Sequence, residues 1–271
     1  MPFCHTGDME IYYEVHGEGF PLLFISGLAG GSWSWYGQVP FFRDHYRCVI
    51  FDNRGGGLSG KPHGLYTMGR MAKDVLCLLD YLDIESTFVY SISMGGMITL
   101  ELARLAPGRL KAMLLICTHA GGKNRVSPSK QTIDILLNNS GLSRQEILWK
   151  NTPLFFSDKT RMKNWEVIEE YYKAQLQSPN QPDYALQAQF SAIRQFDCTA
   201  SLKDIRRPTL IVTGTEDVLT PPANSRFLAQ NLPNSELIEI PHAGHAVYAE
   251  CRDFINETAH AFFQKVVSSE K

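Results

Sequence analysis

The chain of 271 residues has no CxxC pair, no long hydrophobic run and no surplus of positive charge. Each absence removes a class of function. Its six cysteines, Cys4, Cys48, Cys77, Cys117, Cys198 and Cys251, are scattered, several of them inside apolar runs. Neither a disulfide framework nor a zinc site is therefore expected. Cys48 in RCVIFD and Cys117 in LLICT read as small buried hydrophobes. Lys and Arg total 26 against 28 Asp and Glu, a formal net charge of -2, which offers no field for phosphate backbones or anionic lipid. No nucleic-acid or membrane partner is expected. Apolar runs such as AMLLIC at 112–117 fall far short of the roughly 20 residues that cross a bilayer. The opening MPFCHTGDME has neither a basic start nor an apolar stretch of leader length, so a cytoplasmic location is expected. The oligomeric state is open.

What is present is the balance of a chain that folds alone: 44% hydrophobic and 20% charged residues, with 21 Gly and 14 Pro spread along it. The N-terminal half alternates short apolar runs with amphipathic stretches: EIYYEV, PLLFIS, RCVIFD, TFVYSIS and LKAMLLICT. This predicts βαβ units, and several runs are apolar at successive positions, as in central strands of a mostly parallel sheet. MGRMAKDVLCLLDYLDI predicts a crossover helix with Met68, Met71, Val75, Leu78, Leu79 and Leu82 inward, leaving Arg70, Lys73, Asp74 and Asp80 to solvent. Strand-like runs vanish between about Gly121 and Asp197. The division expected is a core at 1–121 and 198–271 with a helical cap inserted at 122–197. RRPTLIVTGTEDVL and SELIEIP restore strands, PPANSRFLAQNL is a helix between them, and DFINETAHAFFQKVV closes the chain as a helix packed through Phe254, Ile255, Ala261 and Phe262.

At the end of TFVYSIS the chain reads Ser91-Ile92-Ser93-Met94-Gly95-Gly96 and then turns helical. Strand, tight turn and helix place Ser93 at the apex, with the small Ser91 and Gly95 two residues either side to relieve crowding. The same string also serves simply to end a buried strand and let a helix pack closely. Beside a helix N-terminus, negative charge on the Ser93 oxygen is favoured. A serine nucleophile needs a base, most often a carboxylate-held histidine. Of eight histidines, His245 in PHAGH follows the last strand at the sheet edge where ligand sites lie. His242 is the rival, read as structural beside Pro241. His5, His16, His45, His63 and His260 fall in a hairpin, surface turns or a surface helix. The acid is assigned to Asp217 in GTEDVL, with the adjacent Glu216 as rival; the preceding strand ends Cys117-Thr118-His119-Ala120 and supplies none. Two backbone amides must face the oxyanion: Met94, after the nucleophile, and Leu28 in the loop SGLAGG. That loop fits neither a P-loop nor a dinucleotide motif. The tryptophans of SWSWYGQ are read as anchors for the next helix.

These motifs together resemble the α/β-hydrolase superfamily, in particular its small esterases, enol-lactonases, cofactor-free haloperoxidases and carbon-carbon bond hydrolases. The resemblance runs over most of the chain. It includes the Gly-rich loop after PLLFIS, the turn Asp52-Asn53-Arg54-Gly55-Gly56-Gly57-Leu58-Ser59, the elbow at Ser93, GTEDVLTP and AGHAVYAE. Ser26 departs from the family's usual His before Gly27, and Cys251 from its usual Pro after Glu250. The resemblance implies an α/β-hydrolase fold, an acyl-enzyme on Ser93 with Asp217 and His245, and oxyanion amides from Leu28 and Met94. It implies no cofactor and no metal. The substrate it implies is a small, rather apolar carboxylic ester or lactone; a perhydrolase, a carbon-carbon bond hydrolase and a ligand-sensing receptor are the alternatives. Trp149, Phe155, Trp165, Val218 and Val247 are the expected pocket residues. The cap residues Ile133, Leu137, Leu148 and Phe156 are further candidates that equally suit the cap's own core.

Overall fold

The computed structural model describes residues 2–269. Eight strands form one sheet: β1 (Phe3–His5), β2 (Glu10–His16), β3 (Pro21–Ile25), β4 (Arg47–Phe51), β5 (Thr87–Ile92), β6 (Leu110–Ile116), β7 (Thr209–Gly214) and β8 (Ser235–Ile240). Their spatial order is β1-β2-β4-β3-β5-β6-β7-β8. β2 runs antiparallel to β1 and to β4, and every later pairing is parallel. This is an α/β-hydrolase fold. Its central strands are apolar throughout because both faces are covered. Leu23, Ile25, Val89, Leu115 and Ile211 pack on one side; Leu22, Phe24, Phe88, Leu114 and Val212 pack on the other. Among the described residues no helix is long and apolar enough to cross a membrane.

Helices α1 (Val39–Phe42), α2 (Met68–Tyr81) and α3 (Met94–Leu105) belong to the first half. Thr67 caps α2 by accepting the Arg70 N–H at 3.0 Å. The helix buries the Met and Leu face its periodicity predicted, with one exception. Asp74 is buried instead of solvated, because the equally buried Arg54 grips its two carboxylate oxygens at 2.7 and 2.8 Å. Arg54 reaches Asp8 with its remaining donors at 2.9 and 2.8 Å. A hydrophobic period cannot register such a pair, since its partner lies twenty residues away.

Five helices separate β6 from β7 in sequence: α4 (Lys130–Leu137), α5 (Arg144–Phe155), α6 (Asp158–Lys163), α7 (Trp165–Gln177) and α8 (Asp183–Gln195). The segment leaves and returns through a bridge between Gly121 and Asp197. Ser143 and Glu146 form a capping box at the start of α5, each accepting the other's backbone N–H. α9 (Ala223–Asn231), α10 (Val247–Glu250) and α11 (Arg252–Ser269) complete the chain. The core face of α11 is displaced from the expected one. Ile255, Ala259, Phe262, Phe263 and Val266 are buried, whereas Phe254 and Ala261 face solvent. The buried set follows an i, i+4, i+7, i+8, i+11 stripe, from which Phe254 and Ala261 are each turned away by one position.

Candidate active site

The apex after β5 is a backbone special. Ser93 adopts φ 51, ψ -119, a conformation a non-glycine residue holds only when its surroundings enforce it. The enforcement is visible: its N–H donates to the Ile116 carbonyl at 2.8 Å, and its own carbonyl accepts the Thr118 hydroxyl at 2.7 Å. Behind it Gly95 is obligatory, since a Cβ there would lie 2.0 Å from the Ile25 carbonyl oxygen. Ser91 hands its hydroxyl to the Leu114 carbonyl at 2.8 Å and is fully buried, which leaves Ser93 as the serine facing space at the N-terminus of α3.

His245 sits in the loop between β8 and α10, and its Nδ1 donates to Oδ2 of Asp217 at 2.8 Å. Nε2 is thereby left as the acceptor. The other oxygen of Asp217 takes the N–H groups of Leu219 and Thr220, each at 2.8 Å. The carboxylate is buried and every lone-pair direction it uses points to a donor. Glu216, one residue earlier, pairs instead with the exposed His242 at 2.9 Å. The two adjacent acids thus serve the two neighbouring histidines separately. His242 carries φ 56, so the loop's left-handed bend falls on it and not on Gly244. Gly244 is required by closeness: a Cβ there would meet the Phe155 carbonyl at 2.7 Å.

Cys117 lies under the same pair. Its thiol, a carboxylate oxygen of Asp217 and an imidazole nitrogen of His245 are within 4.8 Å of one another. Burial, and then the Asp217 charge, push the thiol well above its ordinary range, so it stays protonated. A metal held by these atoms would have to break the short Asp217–His245 bond.

The loop after β3 approaches from the opposite side: a Cβ on Gly27 would come within 3.1 Å of the Ser93 Cβ. Asn53 fixes the loop's start by donating to the Ser26 carbonyl and hydroxyl at 3.0 and 3.2 Å. Asp52 fixes its far end through the Ser32 N–H at 2.7 Å. Burial raises this carboxyl above its usual range against those hydrogen bonds.

Ser93, His245 and Leu28 line one cavity of about 660 Å³ between the sheet edge and helices α4, α5, α7 and α8. Met94, the first residue of α3, is fully buried in the core and is not among the residues that line the cavity. Phe155 is also on the wall, its ring edge-on to His245 at 5.8 Å; Ile133, Leu148 and Phe156 join it. Four expected pocket residues do not. Trp149 and Trp165 stack on each other at 5.1 Å on the outer surface of the cap, Trp149 being 61% exposed. Val218 points to solvent, and Val247 is packed under the sheet. Which side of a cap helix faces inward depends on how that helix is laid over the core, and helical periodicity carries no such information. Leu137 is likewise off the wall.

Several site residues escaped the sequence. Of the two tryptophans expected to anchor the next helix, Trp35 is fully buried, whereas Trp33 lines the cavity edge-on to Tyr171. His119 also lines it, buried, with Nδ1 accepting the Gly121 N–H at 3.0 Å. Its place at the end of a central strand was the available signal. Desolvation, and then the Arg125 charge, hold His119 down to about 3, so it is neutral and presents Nε2–H. Glu250 ties the cap to the His245 loop by accepting from the Ser157 N–H at 2.8 Å and the Gly244 N–H at 3.2 Å.

A family model described as alpha/beta hydrolase fold matches residues 21–250. A curated relative named "Putative carbamate hydrolase RutD", from Azorhizobium caulinodans, is 30% identical over 95% of this chain and 96% of its own length. The enol-lactonase from Burkholderia xenovorans superposes with a TM-score of 0.83 at 25% identity, covering 97% of this chain and 100% of that one. A thermophilic esterase from Thermogutta terrifontis does so with a TM-score of 0.82 at 25% identity, covering 95% and 94%.

Proposed function

The chain belongs to the alpha/beta hydrolase fold family and is a hydrolase of that fold, and from that premise we propose that it cleaves a small carboxylic ester or lactone through an acyl-enzyme on Ser93. The observation that carries this reading is the Asp217–His245 bond of 2.8 Å, with His245 opening onto the same cavity as the strained Ser93. His245 Nε2 takes the hydroxyl proton as Ser93 Oγ attacks the carbonyl carbon. The oxyanion is met by the Leu28 and Met94 amides at the positive end of α3. The carbon–oxygen bond then breaks, and His245 returns the proton to the leaving alkoxide. Water, deprotonated by His245, attacks the acyl-enzyme and frees the acid. A lactone yields one hydroxy acid by the same steps. No step calls for a metal or an organic cofactor. The mostly apolar wall suits a substrate with a hydrocarbon body, and the six unpaired cysteines suit the cytosol.

A carbamate is the second reading, favoured by the name of the 30% identical relative. The same residues would attack its carbonyl. The test is turnover of matched aryl acetates, lactones and aryl carbamates, with and without peroxide. Fast ester or lactone cleavage without peroxide supports the first reading. Carbamate cleavage alone transfers the assignment, and halogenation dependent on peroxide replaces it.

A further inference from the structure

The cavity over Ser93 has cations on its wall and, among the described residues that line it, no aspartate or glutamate. Arg125, in the loop between β6 and α4, and Arg194, near the end of α8, are both on the wall, with Lys130 at the start of α4. Among the described residues Arg125 donates to two neutral oxygens, the Ser127 hydroxyl at 3.2 Å and the Ile193 carbonyl at 3.4 Å. These hold the guanidinium between loop and helix, one residue from Arg194, while leaving it donors to spend. Neither arginine has an ion pair among the described residues. Burial and the neighbouring Arg194 charge pull Arg125 below the usual guanidinium range, as repulsion without a counter-ion must.

Arg125 is half-buried and Arg194 exposed, and a half-buried guanidinium beside a second cation, with no counter-ion among the described residues, favours a negative visitor. A carboxylate is the group whose two coplanar oxygens fit the guanidinium fork. The neutral His119, with its free Nε2–H on the same wall, adds a donor without a proton to lose. Resting on the reading of Ser93 as nucleophile, we infer that the substrate carries a carboxylate, bound at Arg125 and Arg194, while its ester carbonyl meets Ser93. The substrate class is thus a half-ester of a dicarboxylic acid, or a lactone bearing a carboxylate.

The experiment compares mono-p-nitrophenyl adipate with p-nitrophenyl hexanoate, which replaces the terminal carboxylate by a methyl, at fixed ionic strength. The wild type should favour the adipate ester by tenfold or more in kcat/KM. That ratio should fall at least tenfold in R125Q/R194Q and partly in R194Q, since Arg194 is exposed and its side chain makes no hydrogen bond or ion pair among the described residues. A ratio left unchanged by both variants overturns the inference while leaving ester hydrolysis standing. If the wild type cleaves neither ester, the acyl-enzyme reading fails, and calorimetric titration with adipate alone decides the anion site. Binding weakened tenfold or more in the double variant supports the site; equal binding overturns it.

Discussion

Gln189, fully buried on α8, accepts the backbone N–H of Ala29 at 3.2 Å and gives its own amide to the Arg54 carbonyl at 2.8 Å. One cap side chain thereby sets the shape of the loop that carries Leu28. Ala29 itself sits at φ 56, a conformation held by its own bond to Gln189 and by the Gly30 N–H donating to the Gly27 carbonyl at 3.1 Å. The inserted helices consequently brace the loop that carries the proposed oxyanion donor as well as roofing the cavity.

Gln189→Leu should lower kcat about tenfold with a smaller change in KM, since the Ala29 N–H it holds adjoins Leu28, whose amide is the proposed oxyanion donor. Stability should drop by about 1–3 kcal/mol, because the Ala29 N–H and the Arg54 carbonyl lose their partner. Steady-state kinetics and a melting curve check both. A raised KM at unchanged kcat would place Gln189 in substrate binding instead.

Ser93→Ala should fold and lose activity by a factor on the order of 10⁴ to 10⁶, as the covalent step has no substitute. Ser91→Ala should remain active and cost about 1 kcal/mol, the net worth of its bond to Leu114. The reverse pattern would move the elbow by one turn.

Asp217→Asn turns an acceptor for His245 into a donor and should cost up to about 10⁴ in kcat by favouring the wrong tautomer. Glu216→Gln and His242→Ala disturb only the exposed neighbouring pair and should change kcat by less than about threefold. Circular dichroism on all three variants separates chemistry from folding. A Glu216 effect as large as that of Asp217 would reassign the acid.

Gly95→Ala should abolish soluble protein, because its Cβ would stand 2.0 Å from a backbone oxygen that belongs to β3 and cannot yield. Gly108→Ala, with nothing near the added methyl, is the control and should express normally. Soluble yield reads the difference.

His119 is held at about 3 when folded and returns toward 6.5 when unfolded. The unfolded chain therefore binds the extra proton below about pH 6.5, so this contribution to stability is full above that value and is lost as pH falls toward 3. Between pH 7 and pH 5 the loss should be at most about 2 kcal/mol. His119→Asn, which keeps an acceptor for Gly121, should flatten that slope. A slope that is identical in the variant assigns the acid sensitivity to other groups.

The sheet strands, the elbow and the placement of Asp217 and His245 were legible in the sequence because each is local. A short apolar run such as PLLFI or MLLIC, bounded by turn residues, reads as a doubly covered strand. A crowded turn shows itself in Ser91 and Gly95, and a residue just past a strand must stand at the sheet edge. Asp217 and His245 lie twenty-eight residues apart, yet each is placed by its own strand, so their meeting followed from topology. The tertiary structure alone decided what depends on the relative placement of segments far apart in the chain. It turned Trp149 and Trp165 outward, buried Asp74 against Arg54, brought Trp33 and His119 to the wall, and set Gln189 over Ala29. It also set Arg125 beside Arg194 with no acid between them. Helical periodicity states that a cap helix has an inner face but not what that face meets, because the angle at which a helix is laid down is fixed by packing against partners the local sequence does not contain.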